Sequence, residues 1–221
     1  MHVKHLGLMP YQESWTLQLE LFDAVLAGRE DDTLLLVEHP HVYTFGRGTN
    51  IANFLLSDDQ LASLGVAKFE IERGGDVTYH GPGQLVGYPI LNLAHFKEDL
   101  GWYLRSLEGS IIGVLKSYGI TGFRIEGRTG VWVGEAGREE KIAAIGVRSS
   151  RWCTMHGFAF NINTDLSYFN HIIPCGIADR GVTSLQKILG ATVSMEEVAE
   201  RYVESFQDVF EVAFTESAIL Q

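Results

Sequence analysis

Apolar positions early in the chain recur three or four residues apart, at Trp15, Leu19, Phe22 and Leu26, which predicts an amphipathic helix ending near Gly28. The period then shortens. Thr33 to Val37 and Val42 to Phe45 read as short buried strands separated by Glu38-His39-Pro40-His41, and a Gly46-Arg47-Gly48 turn follows. Asp58 to Leu64 predicts a short helix, Lys68-Phe69-Glu70-Ile71-Glu72 a strand, and Leu85 to Leu93 another strand. Helical spacing returns at Leu100, Leu104, Leu107, Ile111, Val114 and Tyr118, so a long amphipathic helix is expected over roughly 97 to 118.

An antiparallel meander should come next: Gly130 to Gly134, a hairpin at Glu135-Ala136-Gly137-Arg138, Lys141 to Arg148, then Trp152 to Ile162. Ser194-Met195-Glu196-Glu197 has the form of a capping box. It opens a last helix with Val198, Tyr202, Phe206, Val209 and Phe210 on its apolar face. Hairpins mixed with separate helices favour an α+β fold, a mostly antiparallel sheet flanked by helices, over a doubly wound sheet. No repeat or low-complexity linker divides the chain, so residues 1–221 are expected to form a single domain.

Composition narrows the classes. A hydrophobic fraction of 46% and a charged fraction of 20% suit a soluble globular protein. A net charge of −11 argues against general affinity for nucleic acid or anionic membranes. Arg124, Arg128, Arg138, Arg148 and Arg151 crowd one region, which fits either a local positive patch or separately solvated side chains. The two cysteines, Cys153 and Cys175, are too few for a disulfide scaffold. No apolar run approaches the roughly 18 residues of a membrane span, and Met1-His2-Val3-Lys4-His5-Leu6 lacks a signal-peptide core. A cytoplasmic protein is expected.

The chemistry concentrates in Arg73-Gly74-Gly75-Asp76-Val77-Thr78-Tyr79-His80-Gly81-Pro82-Gly83-Gln84-Leu85-Val86-Gly87-Tyr88-Pro89. Glycines let backbone approach a ligand, prolines stiffen the loop, and Arg73, Thr78, Tyr79, His80 and Gln84 supply polar groups. Neither G-x-x-x-x-G-K-[ST] nor G-x-G-x-x-G is present, so those nucleotide-binding devices are unsupported. Cys175 lies between Pro174 and Gly176, a turn context that suits either a nucleophile or an inert thiol.

Lys141 opens a strand in which alternation places it on the same apolar face as Ala143, Ile145 and Val147. An amine there would lose hydration and could act as a base, or its charge could lower the pKa of a neighbouring thiol. A lysine that caps the strand edge and reaches water is the alternative. The small residues Ala143, Ala144, Gly146, Gly157 and Ala159 leave room for a slender apolar guest or for a closely packed helix. Cys153-Thr154-Met155-His156 and His171-Ile172-Ile173-Pro174-Cys175 have metal-like spacings, but strand alternation points Cys153 and His156 to opposite faces. No metal is expected.

Four motifs in order, R-G-G-D-V-T-Y-H-G-P-G-Q-L-V-G-Y-P at 73–89, K-I-A-A-I-G-V-R at 141–148, H-G-F-A-F-N-I-N at 156–163 and I-P-C-G-I at 173–177, closely resemble the lipoyl(octanoyl) transferase family. This is the octanoyl-[acyl-carrier-protein]:protein N-octanoyltransferase family. The resemblance spans about residues 33 to 190, including Glu38-His39-Pro40 and Thr44-Phe45-Gly46-Arg47-Gly48. It implies the catalytic fold of the biotin/lipoate protein ligases and an acyl transfer in two halves. Cys175 would take the octanoyl group from octanoyl-acyl carrier protein as a thioester. A lysine of a lipoyl domain of a 2-oxoacid dehydrogenase, or of the glycine-cleavage H protein, would then receive it as an amide.

Lys141 matches the family's lysine that lowers the cysteine pKa. Arg73, Gly74, Gly75, Asp76, Val77, Thr78, Tyr79 and His80, with Ala144, Ile145, Gly146, Gly157, Phe158 and Ala159, match its substrate-binding segments. Asp76 occupies a place taken to be variable, and Cys153 has no implied role. No cofactor, nucleic acid or membrane is implied.

Two other readings compete. An ATP-dependent lipoate or biotin ligase would use a similar loop and lysine but form an acyl-adenylate and need no thiol. A non-catalytic module that binds lipoyl domains would explain the loop but not Cys175 and Lys141 together.

Overall fold

The apolar run at residues 34–37 is sandwiched, and that fact organises the molecule. Leu34 and Leu36 face one core while Leu35 and Val37 face another on the opposite side of the same strand. A strand buried on both faces reads as a continuous hydrophobic stretch. The computed structural model describes residues 1–173 and 181–216.

In chain order, β1 (His2–Leu8) precedes α1 (Tyr11–Leu26), β2 (Thr33–Glu38) and β3 (Val42–Phe45). Then come α2 (Asp58–Leu64), β4 (Ala67–Glu70), β5 (Thr78–His80), β6 (Gln84–Ile90) and α3 (Leu100–Ser117). The meander comprises β7 (Phe123–Ile125), β8 (Arg128–Val133), β9 (Glu140–Ser150) and β10 (Cys153–Asn161). After it lie α4 (Leu185–Leu189), α5 (Met195–Phe210) and β11 (Thr215–Glu216).

Eight strands form one sheet in the order β11-β1-β2-β6-β10-β9-β8-β7, and β4-β3-β5 form a smaller sheet. In the large sheet β1 runs parallel to β2 and β11, and the other pairings are antiparallel. Helices α3 and α5 cover one face, where Leu107, Ile111, Tyr202 and Phe206 enter the core, and α1 covers the other. The α+β architecture with a mostly antiparallel sheet is as expected. Among the described residues no helix is long and apolar enough to cross a membrane.

Several local expectations shift. The helix over 97–118 begins at Leu100, because the Asp99 side chain caps it by accepting from Trp102 N–H. The Ser194 hydroxyl likewise accepts from Glu197 N–H at the start of α5. The apolar face expected for α1 is corrected: its buried residues are Tyr11, Ser14, Gln18, Leu21, Phe22 and Val25, and Leu19 is exposed. The helix turns polar Gln18 inward, where Gln18 Oε1 accepts from His156 N–H at 3.1 Å. Strands β1, β5, β7 and β11 and helix α4 lie outside the elements expected; β1 lacks clean alternation, and β5 lies inside the glycine-rich stretch.

The crowded arginines do not act as one patch. Arg124 Nε pairs with buried Glu108 at 3.0 Å, whereas Arg148 pairs with Glu72 at 3.0 Å.

Candidate active site

A cavity of about 670 Å³ opens between the middle of β9 and β10, the segment from Ile71 to His80, and the start of β8. Lys141 reaches it through a break in strand pairing. Val131 pairs with Ala143 but Trp132 pairs with Lys141, so β9 carries one extra residue. Successive residues Ile142 and Ala143 consequently both enter the α3–α5 core. The expectation that Lys141 shares a face with Ala143 is therefore corrected. The bulge turns Lys141 away from that core and into the cavity, where it is 9% exposed.

Its amine lies 3.5 Å from the Thr129 carbonyl and 4.8 Å from the centre of the Trp132 ring. The aliphatic stem passes over Gly130: a Cβ there would sit 3.4 Å from Lys141 Cε and 2.7 Å from the Ala143 carbonyl oxygen. Gly130 has φ +128°, so glycine is required twice over.

Gly130 is held in turn by Glu108 of α3. This fully buried carboxylate accepts from Gly130 N–H at 2.9 Å and pairs with Arg105 at 2.8 Å and Arg124. Replacing Glu108 by Ala should destabilise the fold by about 2–3 kcal/mol, because it unpairs a buried N–H and two guanidinium groups. Urea unfolding midpoints at neutral pH measure this, and a shift corresponding to under 0.5 kcal/mol would contradict it.

The loop side is rigid. Arg73 is buried and donates to the Thr44 carbonyl at 2.8 Å, to Thr44 Oγ1 at 3.1 Å and to the Gly74 carbonyl at 3.0 Å. Its stem lies against Gly146, where a Cβ would meet Arg73 Cδ at 3.0 Å and the Gly74 carbonyl oxygen at 2.8 Å. At Gly146 the small side chain thus makes room for the loop itself. Two loop amides are already engaged, Gly74 N–H with the Val147 carbonyl at 2.9 Å and Val77 N–H with Asp76 Oδ1 at 2.7 Å. Asp76 also accepts from the Asn53 amide.

The cavity is lined by Arg73, Gly74, Gly75, Asp76, Val77, Thr78 and His80 of the first segment. Ala144, Ile145 and Gly146 line it from β9, and Gly157, Phe158 and Ala159 from β10. Tyr79 does not line it. Alternation along β5 turns that ring to the far side, where it stacks on Tyr168 at 4.8 Å and its hydroxyl bonds His41 Nδ1 at 2.7 Å.

Beyond the expected residues, Tyr11, Tyr88 and His156 also line the cavity. His39 sits behind it, with Nδ1 2.7 Å from the Met9 carbonyl and Nε2 2.8 Å from the Tyr88 hydroxyl. His80 Nδ1 lies 2.9 Å from Gln84 Oε1. Burial is the main reason these imidazoles stay neutral, lowering His39 to about 4 and His80 and His156 to about 3. Only the company of neighbouring histidines in the motifs hinted at such a cluster. Among the described residues no group of three or more His, Cys, Asp or Glu side chains could hold a metal ion.

Cys153 is fully buried, its thiol 3.8 Å from the Phe22 carbonyl and pushed up to about 12 chiefly by burial. Such a thiol is chemically quiet. Cys175 lies outside the described residues, in segment 174–180. Both flanks of that segment are anchored. Ile173 N–H donates to the Asn53 carbonyl at 2.8 Å, and Lys141 N–H donates to the Gly181 carbonyl at 2.9 Å. Phe169 and Val182, on either side, line the cavity.

Residues 10–207 match the family described as the lipoyl protein ligase A/B catalytic domain. An octanoyltransferase of Bacteroides fragilis (strain YCH46) is 51% identical over 200 residues, covering 88% of this chain and 90% of that protein. An octanoyltransferase of Solibacter usitatus is 50% identical over 218 residues, covering 99% and 96%. Among solved structures, a bi-partite lipoate protein ligase from Thermoplasma acidophilum, reported with its E2 lipoyl domain, superposes with a TM-score of 0.77. It covers 100% of this chain and 87% of its own at 17% identity, a likeness of fold alone.

Proposed function

This chain belongs to the lipoyl protein ligase A/B catalytic family and is an octanoyltransferase, and we propose that it works through a thioester on Cys175, with Lys141 as the base beside it. Octanoyl-acyl carrier protein is the proposed donor. The proposed acceptor is a lysine of a lipoyl domain or of the glycine-cleavage H protein.

The observation that carries this reading is the enclosed Lys141 at a cavity walled by small residues, with the chain that bears Cys175 rejoining at Lys141's own backbone. Lys141 N–H donates to the Gly181 carbonyl, and Thr183 N–H donates to the Lys141 carbonyl at 3.0 Å. In the first half, Lys141 takes the Cys175 thiol proton, the thiolate attacks the donor carbonyl, a new C–S bond forms as the donor's C–S bond breaks, and the departing carrier sulfur takes that proton back from Lys141. In the second, the acceptor amine attacks the enzyme thioester. A C–N bond forms, the C–S bond breaks, and the amine proton passes by way of Lys141 to the cysteine sulfur. A thioester is already activated, so neither half needs ATP.

The walls suit the acyl group. Burying the six methylenes of an octanoyl chain contributes up to about 5 kcal/mol, at roughly 0.8 each, enough to sense chain length. Arg73, Gly74, Gly75, Asp76, Val77, Thr78 and His80, with the lining residues of β9 and β10, are proposed to hold the acyl chain. Tyr79 would support them from behind through the small sheet. A cytoplasmic setting is proposed as well, since a catalytic thiol stays reduced there.

Intact-mass measurement after incubation with octanoyl-acyl carrier protein tests the thioester. The wild-type protein should gain one hydroxylamine-labile octanoyl group, and Cys175→Ser should gain none. A labile adduct that persists in the variant would assign the nucleophile elsewhere.

A further inference from the structure

We infer that His156 reads the far end of the acyl chain, and that the cavity accepts medium-length acyl groups bearing a hydrogen-bonding atom, such as a hydroxyl, at or near their terminus. This rests on the octanoyl-transfer reading and adds a substrate class to it.

His156 sits inside β10 with φ +58°, a left-handed conformation that an L-residue in a strand adopts only when its surroundings impose it. Its N–H is held by Gln18, and a Cβ on the following Gly157 would come 2.1 Å from the Gly87 carbonyl oxygen. The backbone is pinned on both sides. The ring is then presented to the cavity, 2% exposed, and neither Nδ1 nor Nε2 has a hydrogen-bond partner among the described residues. Burial, reinforced by the nearby Arg73 and Arg148 cations, keeps it uncharged. A neutral imidazole offers one N–H and one lone pair, and leaving both unmatched in a dry site is costly.

The position along the strands decides which part of a substrate it meets. His156 pairs with Val147, six residues beyond Lys141 on β9. At roughly 3.3 Å per residue, less one for the bulge, the two Cα atoms are about 17–20 Å apart. That is too far for both to contact one carbonyl. Ala144, Gly146, Gly157 and Ala159 lie between them and line the cavity. An acyl group whose reacting carbon sits by Lys141 therefore points its other end toward the imidazole. A terminal hydroxyl there would receive the partner that a wholly apolar wall cannot provide. Transfer of such a group follows the same bonds: C–S breaks, C–N forms, and the amine proton goes to the departing thiolate.

The test compares octanoyl- and 8-hydroxyoctanoyl-pantetheine as donors to a lipoyl domain, with calorimetric binding of octanamide and 8-hydroxyoctanamide alongside. For the wild-type protein, the hydroxylated and plain compounds should agree within about tenfold. His156→Leu should lower the hydroxylated-to-plain ratio by about 10- to 100-fold, the effect of one unmatched polar group. His156→Asn, which keeps a hydrogen-bonding side chain and tolerates left-handed backbone, should preserve it. A wild-type ratio below about one in a hundred, or a ratio unmoved in a folded His156→Leu protein, would overturn the inference. Should the Leu variant not fold, the wild-type and Asn ratios decide. If neither donor is transferred while octanamide binds, the transfer reading fails, and the ratio of the two amides alone decides the role of His156.

Discussion

Exchanging Cys175 for Ser should lower kcat/KM for octanoyl transfer by about 10⁴- to 10⁶-fold, the scale seen when a covalent nucleophile is removed. Lys141→Gln should cost about 10²- to 10⁴-fold, the range of a positioned acid or base. Lys141→Arg should not rescue it, because a guanidinium stays charged and cannot take a proton at neutral pH. The two losses should not add. If Lys141 acts through Cys175, the double variant will be no worse than Cys175→Ser alone. Lys141 is held by a strand bulge and by backbone bonds to Gly181 and Thr183, so Lys141→Gln is expected to keep the wild-type unfolding midpoint. Single-turnover kinetics with octanoyl-acyl carrier protein separates the halves. Cys175→Ser should abolish the first, and Lys141→Gln should slow both. Retention of transfer within tenfold by Cys175→Ser would replace the two-step route with direct attack by the acceptor amine.

Acid should unfold this protein early. His39, His80 and His156 are buried and neutral, with pKa values lowered to about 4, 3 and 3, whereas an unfolded histidine protonates near 6.5. Between those values the unfolded chain binds more protons than the native one. The stabilisation is complete above pH 6.5 and is lost as pH falls through that window. Each group contributes a slope of up to about 1.4 kcal/mol per pH unit, so the three together give up to about 4 near pH 5. Integrated down from pH 6.5, the three cost about 6 kcal/mol by pH 5 and about 8 by pH 4.5, which removes the fold if its stability lies at the lower end of the typical range of about 5–15 kcal/mol. The lowered carboxyls Asp99 and Asp165 act below their own ordinary range and do not account for it. Urea titrations from pH 7 to 4.5, followed by tryptophan fluorescence, give the slope. Uptake of less than one proton on unfolding near pH 5 would mean that the three imidazoles are not held neutral together. His156→Asn should remove about a third of the effect.

Much of the fold was readable from periodicity. Helix α2 has the bounds expected, β2, β3, α3, the meander and α5 lie close to theirs, and Gly130 to Gly134 and the Ser194 cap needed only local signals. The glycine-rich segment was expected to face a ligand because of its mixture of glycines and polar groups, and Arg73 to Thr78, His80, Gln84 and Tyr88 of it line the cavity. The face of α1 was misread because apolar spacing alone put Trp15 and Leu19 inside. The helix instead turns Gln18 inward, where it answers a backbone N–H more than a hundred residues away.

What the chain determines by itself is whatever depends on neighbours within a few residues: element type, turn chemistry, and the presence of one reactive-looking cysteine and one strand lysine. Tertiary structure decided which way the lysine looks. Alternation holds only while pairing stays in register, and the extra residue in β9 that turns Lys141 into the cavity exists only against β8. Likewise His156 reads locally as an ordinary strand residue. Only the assembled surroundings, Gln18 on one side and the Gly87 carbonyl on the other, leave its imidazole buried and unmatched at the wall of the site. Hydrogen-bond satisfaction is settled across the fold, and no window of sequence contains both partners.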